Sequence, residues 1–150
     1  MSQAQWMEEA LALAGQAAAE GEIPVGAVVV DRDGTIIGRG RNRRESGDPL
    51  GHAELFAIAE AARAIGGWRL EGTTMVVTLE PCAMCAGALV NARVEKLIFA
   101  AHDPKAGFCG SLGNLVQDPR LNHRLVVETG LMEERARELL QDFFRKLRGA

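Results

Sequence analysis

Two short stretches hold the residues whose types and spacing could do chemistry. In "LEPCAMCAGALV" Cys82 and Cys85 follow directly on Pro81, and in "GHAEL" His52 and Glu54 flank Ala53. A Cys-x-x-Cys pair serves a disulfide, a redox dithiol, a closed metal clip or an open catalytic metal site. The N-terminal "MSQAQWMEEALALAG" lacks the basic n-region of a secretion signal and carries Glu8 and Glu9 where such a signal is apolar. That reading places the chain in a reducing, intracellular compartment, where paired cysteines serve as metal ligands or catalytic thiols more often than as a structural disulfide. No surrounding pattern resembles a thioredoxin unit, so a redox role fits poorly.

The metal reading can be built residue by residue. Pro81 suits the first turn of a helix, where its missing N–H is an orphan in any case. Cys82 and Cys85 then stand at i and i+3 on one face, and the positive end of the helix favours thiolate over thiol. Two thiolates leave a tetrahedral zinc ion two donors short. His52 and Glu54 are two residues apart and would face apart on a regular helix, so they share a site only where they open one. Gly51 before them and the apolar periodicity after them put them there. Unlike His-Glu-x-x-His, where two histidines ligate, a single histidine here adds one nitrogen and leaves Glu54 beside the metal. His52, Cys82 and Cys85 thus make three ligands of one zinc per chain, with the fourth corner open to water. Zinc lowers the pKa of that water to about 7, and Glu54 is the natural carrier of its proton.

These residues need elements to position them. Residues 4–20 place Trp6, Ala10, Leu13 and Ala17 on one helical stripe, and Gly21 follows as a stop signal. "VGAVVVD" and "TIIGRG" are β-branched strands joined through "DRDG" as a hairpin. A helix from about His52 to Ile65 ends at Gly66-Gly67, and "TMVVTL" is a strand covered on both faces. A helix from about Pro81 to Ala92, a strand "KLIFAA", a Gly-rich loop from His102 to Gly113, a strand "LVVE" and a helix from Leu131 to Leu147 complete the chain. The alternation predicts an α/β layered sheet, its opening pair antiparallel and its later strands parallel.

With 150 residues, 47% hydrophobic and 25% charged, the chain makes one ordinary globular domain with a real core. A net charge of −3 argues against nucleic-acid binding by bulk charge. Local clusters are another matter: "RGRNRR" at 39–44, the stretch with Arg120, His123 and Arg124, and the tail with Arg145, Lys146 and Arg148 could form a phosphate-binding rim. No apolar run approaches the ~18 residues of a membrane span. Cys109 reads as a small buried hydrophobe, Trp68 as a lid over the core, and at most one of Phe143 and Phe144 as a base-stacking platform.

His-x-Glu followed by Pro-Cys-x-x-Cys is the signature of zinc-dependent nucleobase deaminases. "HAEL", "VTLEPCAMCAGALVNAR", "DPKAGFCGSL", "NHR" and "FFRKLR" together resemble the tRNA-specific adenosine deaminases of bacteria, in order and over nearly the whole chain. That resemblance implies a single domain over residues 1–150, a three-layer α/β/α sandwich around a mixed five-stranded sheet of the cytidine deaminase-like kind. It further implies a cytoplasmic homodimer that converts the wobble adenosine of a tRNA anticodon loop to inosine. His52, Cys82 and Cys85 match the family's zinc ligands and Glu54 its proton shuttle. Asn42 matches the pocket asparagine, Ala53 a backbone contact to the base, Asp103 and Lys105 the RNA-contacting loop, and Phe144 and Arg145 the closing helix. One departure is local: Leu50-Gly51 stand where the family more often has Thr-Ala, and the Asn42–His52 interval is about one residue short.

Overall fold

The computed structural model describes residues 1–149, and Ala150 lies outside the described residues. Its elements run α1 (Gln3–Ala19), β1 (Gly26–Val30), β2 (Ile36–Arg41), a 3-10 turn (Arg44–Ser46), α2 (Ala53–Ile65), β3 (Thr74–Leu79), α3 (Ala83–Asn91), β4 (Lys96–Ala101), β5 (Val126–Thr129) and α4 (Glu133–Gly149). The five strands lie in the order β2-β1-β3-β4-β5. β1 pairs antiparallel with β2 and with β3, and β3, β4 and β5 run parallel. The sheet is therefore mixed, as the sequence predicts.

Alternation along the central strands builds two cores. Val28, Val30, Val76, Ile98 and Ala100 face α1 and α4, packing on Met7, Ala10, Leu11 and Ala136. Ala27, Val29, Met75, Val77, Leu97 and Phe99 face α2 and α3, packing on Ala57, Ala61, Ala86 and Leu89. Both faces of β3 and β4 are covered, which is why those strands read as unbroken apolar runs.

Two expectations shift. The buried stripe of α1 is Met7, Ala10, Leu11, Ala14 and Ala17, with Trp6 and Leu13 only half-buried at its flanks. The hydrophobic pattern is broad enough for two stripes, and contact with the sheet selects one. Trp68 does not cover the core: its indole is 58% exposed, with the guanidinium groups of Arg69 and Arg93 4.7 and 5.6 Å from the ring.

The approach of α2 to the sheet sets the site. A side chain at Gly38 or Gly40 of β2 would collide with the backbone carbonyl of Ala57 or Ala53. Two buried glycines in this edge strand thus let the first two turns of α2 lie directly on it. Among the described residues no helix is long and apolar enough to cross a membrane.

Candidate active site

His52 and Cys82 occupy equivalent places at the heads of two helices. His52 is the N-cap of α2, with φ −93° and ψ 142°, and Cys82 the N-cap of α3, with φ −74° and ψ 178°. Neither side chain caps its own helix, so both remain free to turn to a common point. Pro81 precedes the cap instead of opening the helix; the extended backbone of Cys82 moves the start to Ala83. Cys85 lies one turn further on.

The Sγ atoms of Cys82 and Cys85 each lie 3.5 Å from His52 Nδ1. The three donor atoms fall within 4.8 Å of one another. A tetrahedral zinc with Zn–S near 2.3 Å and Zn–N near 2.0 Å sets its sulfur and nitrogen donors about 3.5 Å apart. Donor types and spacing both fit that ion.

The electrostatics agree. A hydrogen bond from Cys85, the N–H groups at the head of α3 and the neighbouring His52 lower the Cys82 thiol to about 5 against the cost of burial. Cys85 is pushed well above the ordinary thiol range by its hydrogen bond with Cys82, by burial and by the charge of Glu54. One thiolate already stands beside it, so a second needs a cation between them. Glu54 is buried, 4% exposed. Burial, reinforced by the charge of Cys82, raises its carboxyl to about 7, against its hydrogen bonds to backbone and Cys85. A carboxyl at that value both takes and gives a proton near neutrality.

The donors open onto a cavity of about 240 Å³, its walls including Asn42, Arg44, His52, Ala53, Glu54 and Asp103. That volume suits one flat base or nucleoside better than a larger ligand. Asn42 is 8% exposed and donates its amide to the carbonyl of Ile23 at 3.3 Å. Despite the shortened interval before His52, the structure brings Asn42, Ala53 and Asp103 to the same cavity as the metal-type donors. Lys105, Phe144 and Arg145 line a second groove, between the 102–113 loop and α4, joined there by Arg137 and Arg148. Phe143 turns to a different groove, against Ala18 and Ala19 of α1, so one phenylalanine of the pair is available to a ligand near Lys105.

Arg145 also pairs with Asp142 at 2.9 Å, and the other basic stretches have partners within the chain as well. Arg41 pairs with Glu20 at 2.7 Å and Arg43 lies over the Phe56 ring at 4.6 Å. Arg120 pairs with Asp118 at 2.7 Å, Arg124 donates to the Pro119 carbonyl at 2.6 Å, and the His123 ring lies 2.7 Å from the Val94 carbonyl. The expected third part of the rim is thus engaged in holding its own loop.

Sequence reasoning missed Glu80. Its residue is 2% exposed, and its carboxylate accepts hydrogen bonds from the amides of Asp103, Cys109 and Ser111 at 3.0, 3.0 and 2.9 Å and from the Ser111 hydroxyl. Burial pulls this carboxyl up, but those four donors outweigh it and hold it below the ordinary carboxylate range. An acid between an apolar strand and Pro81 carries no pattern in the sequence that marks it. Cys109 is 4% exposed and packs as the expected buried thiol.

Comparison with known proteins follows the same outline. Residues 1–148 match the family described as MafB19-like deaminase. The tRNA-specific adenosine deaminase of Bacillus subtilis (strain 168) is 51% identical over 144 residues, which is 95% of this chain and 89% of that protein. The protein of that name from Streptococcus pyogenes serotype M18 (strain MGAS8232) is 46% identical over 145 residues, 96% of this chain and 91% of its own. A solved structure from work on A-to-I editing by tRNA:A34 deaminases at the wobble position of transfer RNA superposes with a TM-score of 0.86 at 42% identity, covering 91% of this chain and 99% of that one.

Proposed function

The chain belongs to the MafB19-like deaminase family and, with it, to the tRNA-specific adenosine deaminases, and from that premise we propose that it converts the wobble adenosine of a tRNA anticodon loop to inosine by hydrolysis. The observation that carries the reading is the meeting of His52, Cys82 and Cys85 at 3.5 Å, with the buried carboxyl of Glu54 on the same cavity. These three side chains would hold one zinc ion, which when bound would lower the pKa of its water to about 7.

The remaining work falls to the chain itself. The cavity takes one base out of the anticodon-loop stack. Asn42, its amide fixed on Ile23, contacts the nucleotide, and the backbone of Ala53 meets the base edge. Glu54 takes a proton from the attacking water and delivers it to N1 of the adenine. As the water oxygen bonds to C6, Glu54 next takes the proton of the resulting C6 hydroxyl and passes it to the departing amine, so that the C6–N bond breaks, ammonia leaves and inosine remains. Burial that excludes water keeps Glu54 poised between its two forms. Asp103 and Lys105 face the RNA around the target, and Phe144 with Arg145 closes over the loop from α4.

A homodimer in the cytoplasm completes the proposal. The half-buried and exposed face of α3, with Ala83, Met84, Gly87 and Ala88, is small and apolar enough for a second copy to approach closely; sedimentation at micromolar concentration tests it. The activity itself is tested with zinc-loaded protein, an anticodon stem-loop RNA carrying adenosine at position 34, and free cytosine and guanine as competitors. Inosine at that position with release of ammonia is expected. Faster turnover of a free base would transfer the assignment to a base deaminase using the same centre.

A further inference from the structure

Glu80 lines the same cavity as His52 and Cys82, and its buried carboxylate holds the proposed RNA-facing loop. Glu80 follows β3, and its amide donates to the Ala101 carbonyl at the end of β4 at 2.8 Å. Its two oxygens divide the loop between them. Oε1 takes the Asp103 amide and the Ser111 hydroxyl, with His102 Nδ1 at 3.4 Å, while Oε2 takes the amides of Cys109 and Ser111. Both limbs of the loop are thus tied to one carboxylate. The loop in turn is tied back to the start of α3: Phe108 donates to the Pro81 carbonyl at 2.9 Å, and Gly107 bridges to Cys82. Gly107 lies against the Glu80 carboxylate so closely that any side chain there would collide with it.

We infer that Glu80 is a positioning residue that holds Asp103 on the wall of the cavity, in register with Cys82, and through the same turn sets Lys105 in the neighbouring groove. The inference rests on the function proposed above, because it is the RNA-facing role of that wall that gives the positioning its value. Asp103 sets the turn itself, its Oδ1 accepting from the amides of Lys105 and Ala106 at 3.1 and 3.2 Å. Glu80 holds the turn at its first residue. A carboxylate suits the place because every group around it donates; an amide does not. With its NH₂ toward Cys109 and Ser111, a glutamine would oppose two N–H donors. With its NH₂ toward Asp103 it opposes one, since the Ser111 hydroxyl can turn and accept. Glu80→Gln is therefore expected to release Asp103 while keeping the far limb of the loop.

The test compares zinc-loaded wild-type protein, Glu80→Gln, Asp103→Ala/Lys105→Ala and the triple variant, by metal content, amide exchange and deamination of an anticodon stem-loop RNA. Glu80→Gln should keep its zinc and lose about tenfold protection at the Asp103 amide, the loss of one charge-assisted hydrogen bond. Its KM for the RNA should rise about tenfold with kcat within about threefold. In the Asp103→Ala/Lys105→Ala background the same change should add less than about twofold to KM. Loss of zinc, a fall in kcat without a rise in KM, unchanged protection of Asp103, or full additivity with the double variant would each overturn the inference. Should Glu80→Gln not fold, Ser111→Ala removes one donor from an exposed residue and must raise KM in the same direction, and no rise overturns the inference. If the wild-type protein deaminates no RNA at all, the proposed function falls, while the exchange measurement still decides the role of Glu80 in holding the loop.

Discussion

His52 Nδ1 and Cys82 Sγ, 30 residues apart in the chain, stand 3.5 Å from each other because each residue is the N-cap of a different helix. A cap residue has extended backbone, so its side chain is not committed to a helix face. Two helices arriving side by side at one end of the sheet can therefore aim their caps at one point. The centre depends on this pairing, and it makes Cys82 the most informative ligand to remove. Cys82→Ala should retain less than about a tenth of stoichiometric zinc when measured by elemental analysis after dialysis, since a two-donor remnant does not hold the ion. Full zinc in that variant would mean that the ligand set is wrong.

Removing Glu54 should separate chemistry from binding. Glu54→Gln is expected to keep zinc and RNA affinity while the single-turnover rate falls by about 10²–10⁴-fold or more, because one group serves several proton transfers. Stopped reactions and a filter-binding isotherm on the same preparation check both halves. A variant that loses affinity and rate in equal measure would assign Glu54 to binding.

Gly40 is the place where β2 admits α2. The added methyl of Gly40→Ala meets the Ala53 carbonyl, a backbone atom with no rotamer to yield. Overpacking of this kind costs about 1–3 kcal/mol, and the strain falls on the residue next to His52. Denaturant unfolding should show that loss, with weaker zinc retention alongside; unchanged stability would mean that the helix moves freely off the strand.

The two kinds of basic residue predict different salt behaviour. Lys105→Ala should weaken RNA binding and lower the slope of log K against log salt by about one phosphate contact. Arg120→Ala should leave that slope unchanged, since Arg120 is engaged by Asp118. Equal effects of the two would extend the RNA surface to the 118–124 loop.

The Asp118–Arg120 pair also has a pH signature. The Arg120 side chain and amide lower the Asp118 carboxyl to about 2. A depressed carboxyl contributes its stability above the unfolded value of about 3.9 and loses it as pH falls through the folded one. The turn should therefore keep its geometry at pH 4 and loosen toward pH 2, a small effect for so exposed a pair. An NMR titration should find Asp118 moved up toward the ordinary range in Arg120→Ala, with the amide of residue 120 still donating to it; an unmoved value would remove the guanidinium as the main cause.

Much of this protein is determined locally and so can be read along the chain. Apolar runs at β1, β3 and β4 specify strands buried on both faces, and the order of helices and strands specifies the layers. The donors declare themselves too: thiol, imidazole and carboxylate chemistry belongs to residue type, and His-x-Glu with Cys-x-x-Cys limits the ways they can meet. Tertiary structure decides what rests on approach between distant segments. Which stripe of α1 is buried depends on the sheet beneath it, since Met7, Leu11 and Ala14 compete on equal terms with Trp6 and Leu13 until packing chooses. That Arg41 and Arg43 are engaged within the protein depends on partners remote in the chain, Glu20 and Phe56. Glu80 is the clearest case. An acid between a strand and a proline has no distinguishing pattern, and its role exists only once the loop 23–31 residues further on folds its amides around the carboxylate. A hydrogen bond from a remote backbone amide to a side chain leaves no periodicity in sequence, because every residue but proline carries that donor.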